Sequence, residues 1–142
     1  MKRPISLISL LSFVFGLIVL ASSVSAQQTY ELTVDELNKG LLEAPSLAQK
    51  GFFLVDVRSP AEHMTGFIPG TDRNIDFRIL GRRHREIGAQ LDDHIVVYCQ
   101  SGRRSNIAAD TLAELGYQYV YNVVGSMNAW QEAGYPVALP GQ

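Results

Sequence analysis

One cysteine, Cys99, ends the apolar run Ile95-Val96-Val97-Tyr98 and opens the short polar stretch Gln100-Ser101-Gly102-Arg103-Arg104-Ser105. A thiol at such a junction has chemistry available to it. A loop that feeds a helix N-terminus turns unpaired backbone N–H groups toward one point, and the helix dipole adds partial positive charge there. A cysteine in such surroundings commonly has its pKa lowered to about 3.5–7.5, and the thiolate is the nucleophile. Gly102 lets the backbone curl without a Cβ, and Arg103 and Arg104 offer forked donors to an oxyanion. Ser101 and Ser105 can supply capping hydroxyls. Such a cradle suits sulfur transfer. The thiolate attacks the outer sulfur of a donor, the remainder leaves, and a persulfide stays on Cys99 until an acceptor takes the sulfur. Neither a metal, a cofactor nor a general base is called for. The competing reading of Cys99 is an inert, buried thiol.

The elements that must hold this loop alternate short apolar strands with helical segments, the pattern of βα units on a mostly parallel sheet. Tyr30-Glu31-Leu32 and the buried-type run from Phe52 to Val57 are expected strands. Each leads into a capping box, Thr33 with Glu36 and Ser59 with Glu62, the second with Pro60 at the first helical position. A polar surface helix is expected over Arg82–Leu91. The Ile95–Tyr98 strand follows, then a helix from Ser105 to Leu115 closed by Gly116. A strand from Tyr119 to Val124 and a helix from Ser126 to Ala133 complete the series. Cys99 thus falls at the carboxyl end of a buried strand, where open α/β sheets bind ligands.

The segment Cys99–Ser105 resembles the active-site loop of rhodanese-family sulfurtransferases. Leu54-Val55-Asp56-Val57-Arg58 with Glu62 resembles that family's first signature, and Gly66-Phe67-Ile68-Pro69-Gly70 with Asn74-Ile75 its second. The stretch from Ala108 to Trp130 is similar to its closing pattern. The resemblance implies a three-layer α/β sandwich with a five-stranded, mostly parallel sheet flanked by helices. It also implies a Cys99 persulfide, donors such as thiosulfate and acceptors such as cyanide or a thiol, a protein thiol included. Asp56 and Arg58, with Glu62, are implied to sit near the loop and support it. Three positions depart from the pattern. Phe67 stands where the family often has His, the spacing between Gly70 and Asn74 is about one residue longer, and uncharged Gln100 follows the cysteine where a basic residue is frequent.

The first 26 residues carry a basic start (Lys2, Arg3), an apolar run from Ile5 to Leu20, and a small polar stretch ending Val24-Ser25-Ala26. That is the grammar of a secretory signal peptide cleaved near Ala26; an uncleaved membrane anchor is the alternative. The expected product is one rhodanese-type domain over residues 27–142, exported to a periplasm or secreted, monomeric and free of the membrane. A net charge of −2 argues against nucleic acid as a partner. A cysteine phosphatase or arsenate reductase is disfavoured, because four residues separate Cys99 from Arg104 where a tetrahedral oxyanion needs five, and there is no second cysteine to resolve a disulfide. A non-catalytic module that carries sulfur or binds a partner stays open.

Overall fold

The computed structural model describes residues 28–141; the apolar run and the expected cleavage point at Ala26 lie outside them. Five strands, β1 (Thr29–Leu32), β2 (Phe53–Asp56), β3 (Arg73–Asn74), β4 (His94–Tyr98) and β5 (Tyr119–Val123), form one sheet in the order β1-β5-β4-β2-β3. Every pairing is parallel. Five α-helices alternate with them: α1 (Val34–Glu43), α2 (Pro60–Met64), α3 (Phe77–Arg83), α4 (Arg103–Glu114) and α5 (Ser126–Glu132).

The sheet is buried on both faces, which is why its strands read as continuous apolar runs. Side chains alternate across the pleat. Val55, Ile95, Val97 and Val120 pack with Leu80, Ala108, Ala109 and Leu112 on the side of α3 and α4. Leu54, Val96, Tyr98 and Val123 pack with Leu37, Met127 and Trp130 on the side of α1 and α5. The result is the expected three-layer α/β sandwich. The alternation in β4 continues past its end, so Cys99 turns to the same side as Ile95 and Val97.

Both capping boxes form. Thr33 Oγ1 accepts from the Glu36 N–H at 3.2 Å, and Ser59 Oγ accepts from the Glu62 N–H at 3.3 Å. Among the described residues no helix is long and apolar enough to cross a membrane.

Two local expectations are corrected, and one strand has no counterpart among them. The polar helix over Arg82–Leu91 is replaced by α3, which starts at Phe77, and by a 3-10 turn over His84–Ile87. Asp76 caps α3 by accepting from the Arg78 N–H at 3.0 Å, and Leu80 and Ile87 anchor the segment to the core. The charged run between those two anchors hid their spacing. The helix after Cys99 begins at Arg103, with Gly102 at its cap, not at Ser105. Finally, β3 is two residues long and has no apolar pattern to reveal it; it is held by pairing Val55 with Arg73 and Asp56 with Asn74.

Candidate active site

Gly102 adopts φ +98°, in the left-handed region, and this turns the chain from the end of β4 directly into α4. Ser105 is therefore the third helical residue, and its N–H is among those the helix cannot pair internally. The sulfur of Cys99 receives the Gly102 N–H at 3.1 Å and the Ser105 hydroxyl at 3.4 Å. Burial opposes charge on this sulfur. The Ser105 hydroxyl and the backbone N–H groups of Ser105, Gly102 and Ser101 outweigh it and hold the thiol below its ordinary value. Cys99 is 0 % exposed and shares a cluster with Val55, Val57 and Val97. Its burial is that of a core residue, but the surroundings of its sulfur on the loop side are those of a thiolate. In the loop beside it, Ser101 is exposed and Gly102 half-buried.

The turn between β5 and α5 holds the same cysteine from the other side. Ser126 Oγ accepts from the Cys99 N–H at 3.1 Å and donates to the Val123 carbonyl at 2.9 Å, while the Met127 N–H reaches the Cys99 carbonyl at 3.1 Å. Ser126 does this from φ +46°, a conformation uncommon for a residue with a side chain. Gln100 is pinned at both ends. Its Oε1 lies 3.4 Å from Arg58 Nη1, and its Nε2 donates to Asn128 Oδ1 at 2.6 Å.

Asp56 and Arg58 form a buried ion pair at the end of β2, beside the loop. Arg58 donates through Nε and Nη2 to both carboxylate oxygens, the shortest contact being 2.7 Å, and its Nη2 also reaches the Gly66 carbonyl at 2.7 Å. His63 Nδ1 lies 2.9 Å from Asp56 Oδ2, and its ring stacks on Phe67 with centroids 4.3 Å apart. Phe67, at the position where histidine resembles the family pattern better, thus packs against a histidine from the preceding helix. Arg104 is placed differently from the anion anchor expected of it. Its two terminal nitrogens lie 2.9 and 2.6 Å from the two Glu62 carboxylate oxygens, and this pairing pulls the Glu62 carboxyl down to about 2. Arg103 is exposed and has no ion pair among the described residues.

The structure places Asp56, Arg58 and Glu62 around Cys99 and the loop from Gln100 to Ser105. His63, Ser126 and Asn128 were not anticipated. Gly125-Ser126 reads only as a turn before a helix, and nothing in the sequence says that this turn abuts the end of β4.

Replacing Ser105 with alanine removes one donor to the sulfur. The Cys99 pKa should rise, so any thiolate-dependent rate should lose its acid side at higher pH than in the parent protein. Near neutral pH the rate should fall about tenfold, the worth of one charge-assisted hydrogen bond. A pH profile of alkylation by iodoacetamide checks this, and an unmoved profile would discount the hydroxyl.

A parallel α/β domain built around one loop-cradled cysteine defines the class of protein. The chain belongs to the rhodanese-like domain family, which it matches over residues 33–133. A sulfurtransferase of Allochromatium vinosum is 34% identical over 107 residues, covering 75% of this chain and 97% of that protein. A thiosulfate sulfurtransferase, GlpE, of Pseudomonas syringae is 35% identical over 94 residues, covering 66% of this chain and 85% of its own. Among solved structures, a rhodanese-related protein of Thermoplasma volcanium superposes with a TM-score of 0.62 at 30% identity, over 78% of this chain and 98% of its own.

Proposed function

We propose that the protein is a sulfurtransferase of the thiosulfate type, with Cys99 as nucleophile and residues 100–105 as the cradle for its charge. The observation that carries this reading is the Gly102 N–H and the Ser105 hydroxyl aimed at the Cys99 sulfur. The thiolate attacks the sulfane sulfur of the donor, the bond from that sulfur to the sulfonate breaks, and sulfite leaves with the electron pair. The new sulfur remains on Cys99 as a persulfide anion, which the same donors can stabilise. A thiophilic acceptor, cyanide or a small or protein thiol, then takes the outer sulfur and restores the thiolate. Asp56, Arg58 and Glu62 support the loop. With Cys99 0 % exposed, a donor needs a local movement of the chain to reach the sulfur.

The domain extends over residues 27–142 in this reading, is monomeric, and is exported after cleavage of residues 1–26. Relatives described as sulfurtransferases and thiosulfate sulfurtransferases support the activity.

Incubation with thiosulfate should add one sulfur atom to the intact mass, and the Cys99→Ser variant should gain none. With cyanide present, thiocyanate should form catalytically. Loading without turnover would favour a sulfur carrier, and no loading by any donor would end the proposal.

A further inference from the structure

Away from Cys99, a cavity of about 280 Å³ opens between α1 and the sheet. Leu37 and Gly40 line it from α1, Val96 and Tyr121 from the sheet, and Phe52 from the segment before β2. Glu36 and His94 are also in its lining, and both are exposed. The cysteine is at the other end of the molecule. His94 begins β4 and Cys99 follows its last residue, about 16 Å along the strand. Cys99 also packs on the opposite face of the sheet from Val96.

The helix wall keeps this space open. Gly40 lies inside α1 at ordinary helical angles, where glycine weakens the helix and the backbone does not require it. A Cβ added there would meet Phe52 Cε1 at 3.7 Å, an ordinary contact, so packing does not require glycine either. What the glycine does is leave room. The sheet wall suits a flat ring. Tyr121 is flanked by Tyr30, with ring centroids 5.2 Å apart, and by His94 at 5.7 Å, while Tyr119 covers the other face of His94 at 4.7 Å. A ring stacked on both sides turns its edge outward, and that positive edge favours the face of a further aromatic ring. His94 Nδ1 also meets the Tyr121 hydroxyl at 3.0 Å, which fixes the two rings together. Charge narrows the class of occupant. No lysine or arginine lines the cavity, and the bonds that the Glu36 side chain accepts from Thr33 both end on Oε2, leaving Oε1 for a ligand.

We infer that this cavity binds a planar aromatic cation, an arylalkylamine whose ring enters between α1 and the sheet and whose ammonium group meets Glu36. The ring lies over the edges of Tyr121 and His94, with Leu37 and Phe52 beside it. The inference is independent of sulfur transfer at Cys99.

Titration of the full-length protein with tryptamine, followed by NMR of the His94 and Tyr121 ring protons, should saturate with a Kd on the order of 0.1 mM. Indole-3-acetate, the same ring with the opposite charge, should bind about tenfold more weakly. Glu36→Gln, which keeps a capping-box residue, should weaken tryptamine about fivefold and leave neutral indole unchanged. Gly40→Ala should raise the thermal midpoint by about 4 °C and weaken binding. Gly40→Leu should fill the cavity and abolish binding, whereas Cys99→Ser should bind as the parent does. Shifts that do not saturate, equal binding of indole-3-acetate, or binding that survives Gly40→Leu would overturn the inference. So would a destabilised Gly40→Ala, which would mean that packing needs the glycine. Ring shifts that follow protein concentration without ligand would mean that a second copy covers this face, and would overturn it too.

Discussion

The Asp56→Ala variant is expected to lose about 3–5 kcal/mol of stability, the usual cost of removing one partner from a buried ion pair. Asp56 is 0 % and Arg58 2 % exposed, so the guanidinium left behind could not turn to water. The carboxylate also accepts the Arg58 backbone N–H at 2.9 Å and lies 2.9 Å from His63 Nδ1, so its loss orphans donors as well as a charge. Asn74 ties the same corner, donating through Nδ2 to the backbone carbonyls of Asp56 and Arg58 at 3.0 and 2.9 Å. Urea denaturation measures the effect. A double variant, Asp56→Ala with Arg58→Met, separates lost charge balance from lost packing. It should recover much of the stability, because an apolar replacement of a buried pair is often neutral. If the single variant were as stable as the parent, the pair would have to be solvated. If the double variant were no better than the single, the cost would lie in packing. Gln100 loses its Arg58 contact in the double variant, which also shows whether that contact affects the reactivity of the adjacent cysteine.

What the sequence reveals and what it hides separate along physical lines. Local rules govern the two capping boxes, the buried strands and the turn into the helix after Cys99, and all are readable from neighbouring residues. The expectation that Asp56 and Arg58 lie near the loop rests only on resemblance, since no local rule says that the end of β2 lies beside the end of β4. Contacts between distant turns are less legible still. Ser126 lies 27 residues from the cysteine whose N–H it receives, and Arg104 lies 42 residues from the glutamate that takes its charge. Glu62 had a sufficient local purpose as the third residue of its capping box, and a residue with one adequate role gives no sign of a second. Its carboxylate performs both, receiving the Ser59 N–H at 3.0 Å and the Arg104 fork. The missed 3-10 turn after α3 has the opposite cause, a charged surface run masking two buried anchors, Leu80 and Ile87.

Gly102→Val should cut sulfur loading of Cys99 by about a hundredfold or more, because two separate obstacles stand at that position. Its φ of +98° is one that a β-branched residue strongly resists, and a Cβ placed there would sit 3.2 Å from the Gly125 backbone nitrogen. Backbone strain of this kind costs on the order of 1–3 kcal/mol. The close neighbour is main chain, which cannot rotate aside as a side chain could. The loop must therefore withdraw from the β5–α5 turn, carrying with it the N–H that now lies 3.1 Å from the sulfur. Gly88 provides the control. It has a similar φ of +85° with nothing within 4 Å of an added Cβ, so Gly88→Val should pay the strain and keep the cysteine chemistry. Comparable stability losses with reactivity lost only at position 102 are the expected result, read by denaturation and by sulfur loading on the same samples. Equal reactivity in the two variants would mean that the cradle forms without the left-handed turn, and that the Gly102 N–H is dispensable to the sulfur it now faces.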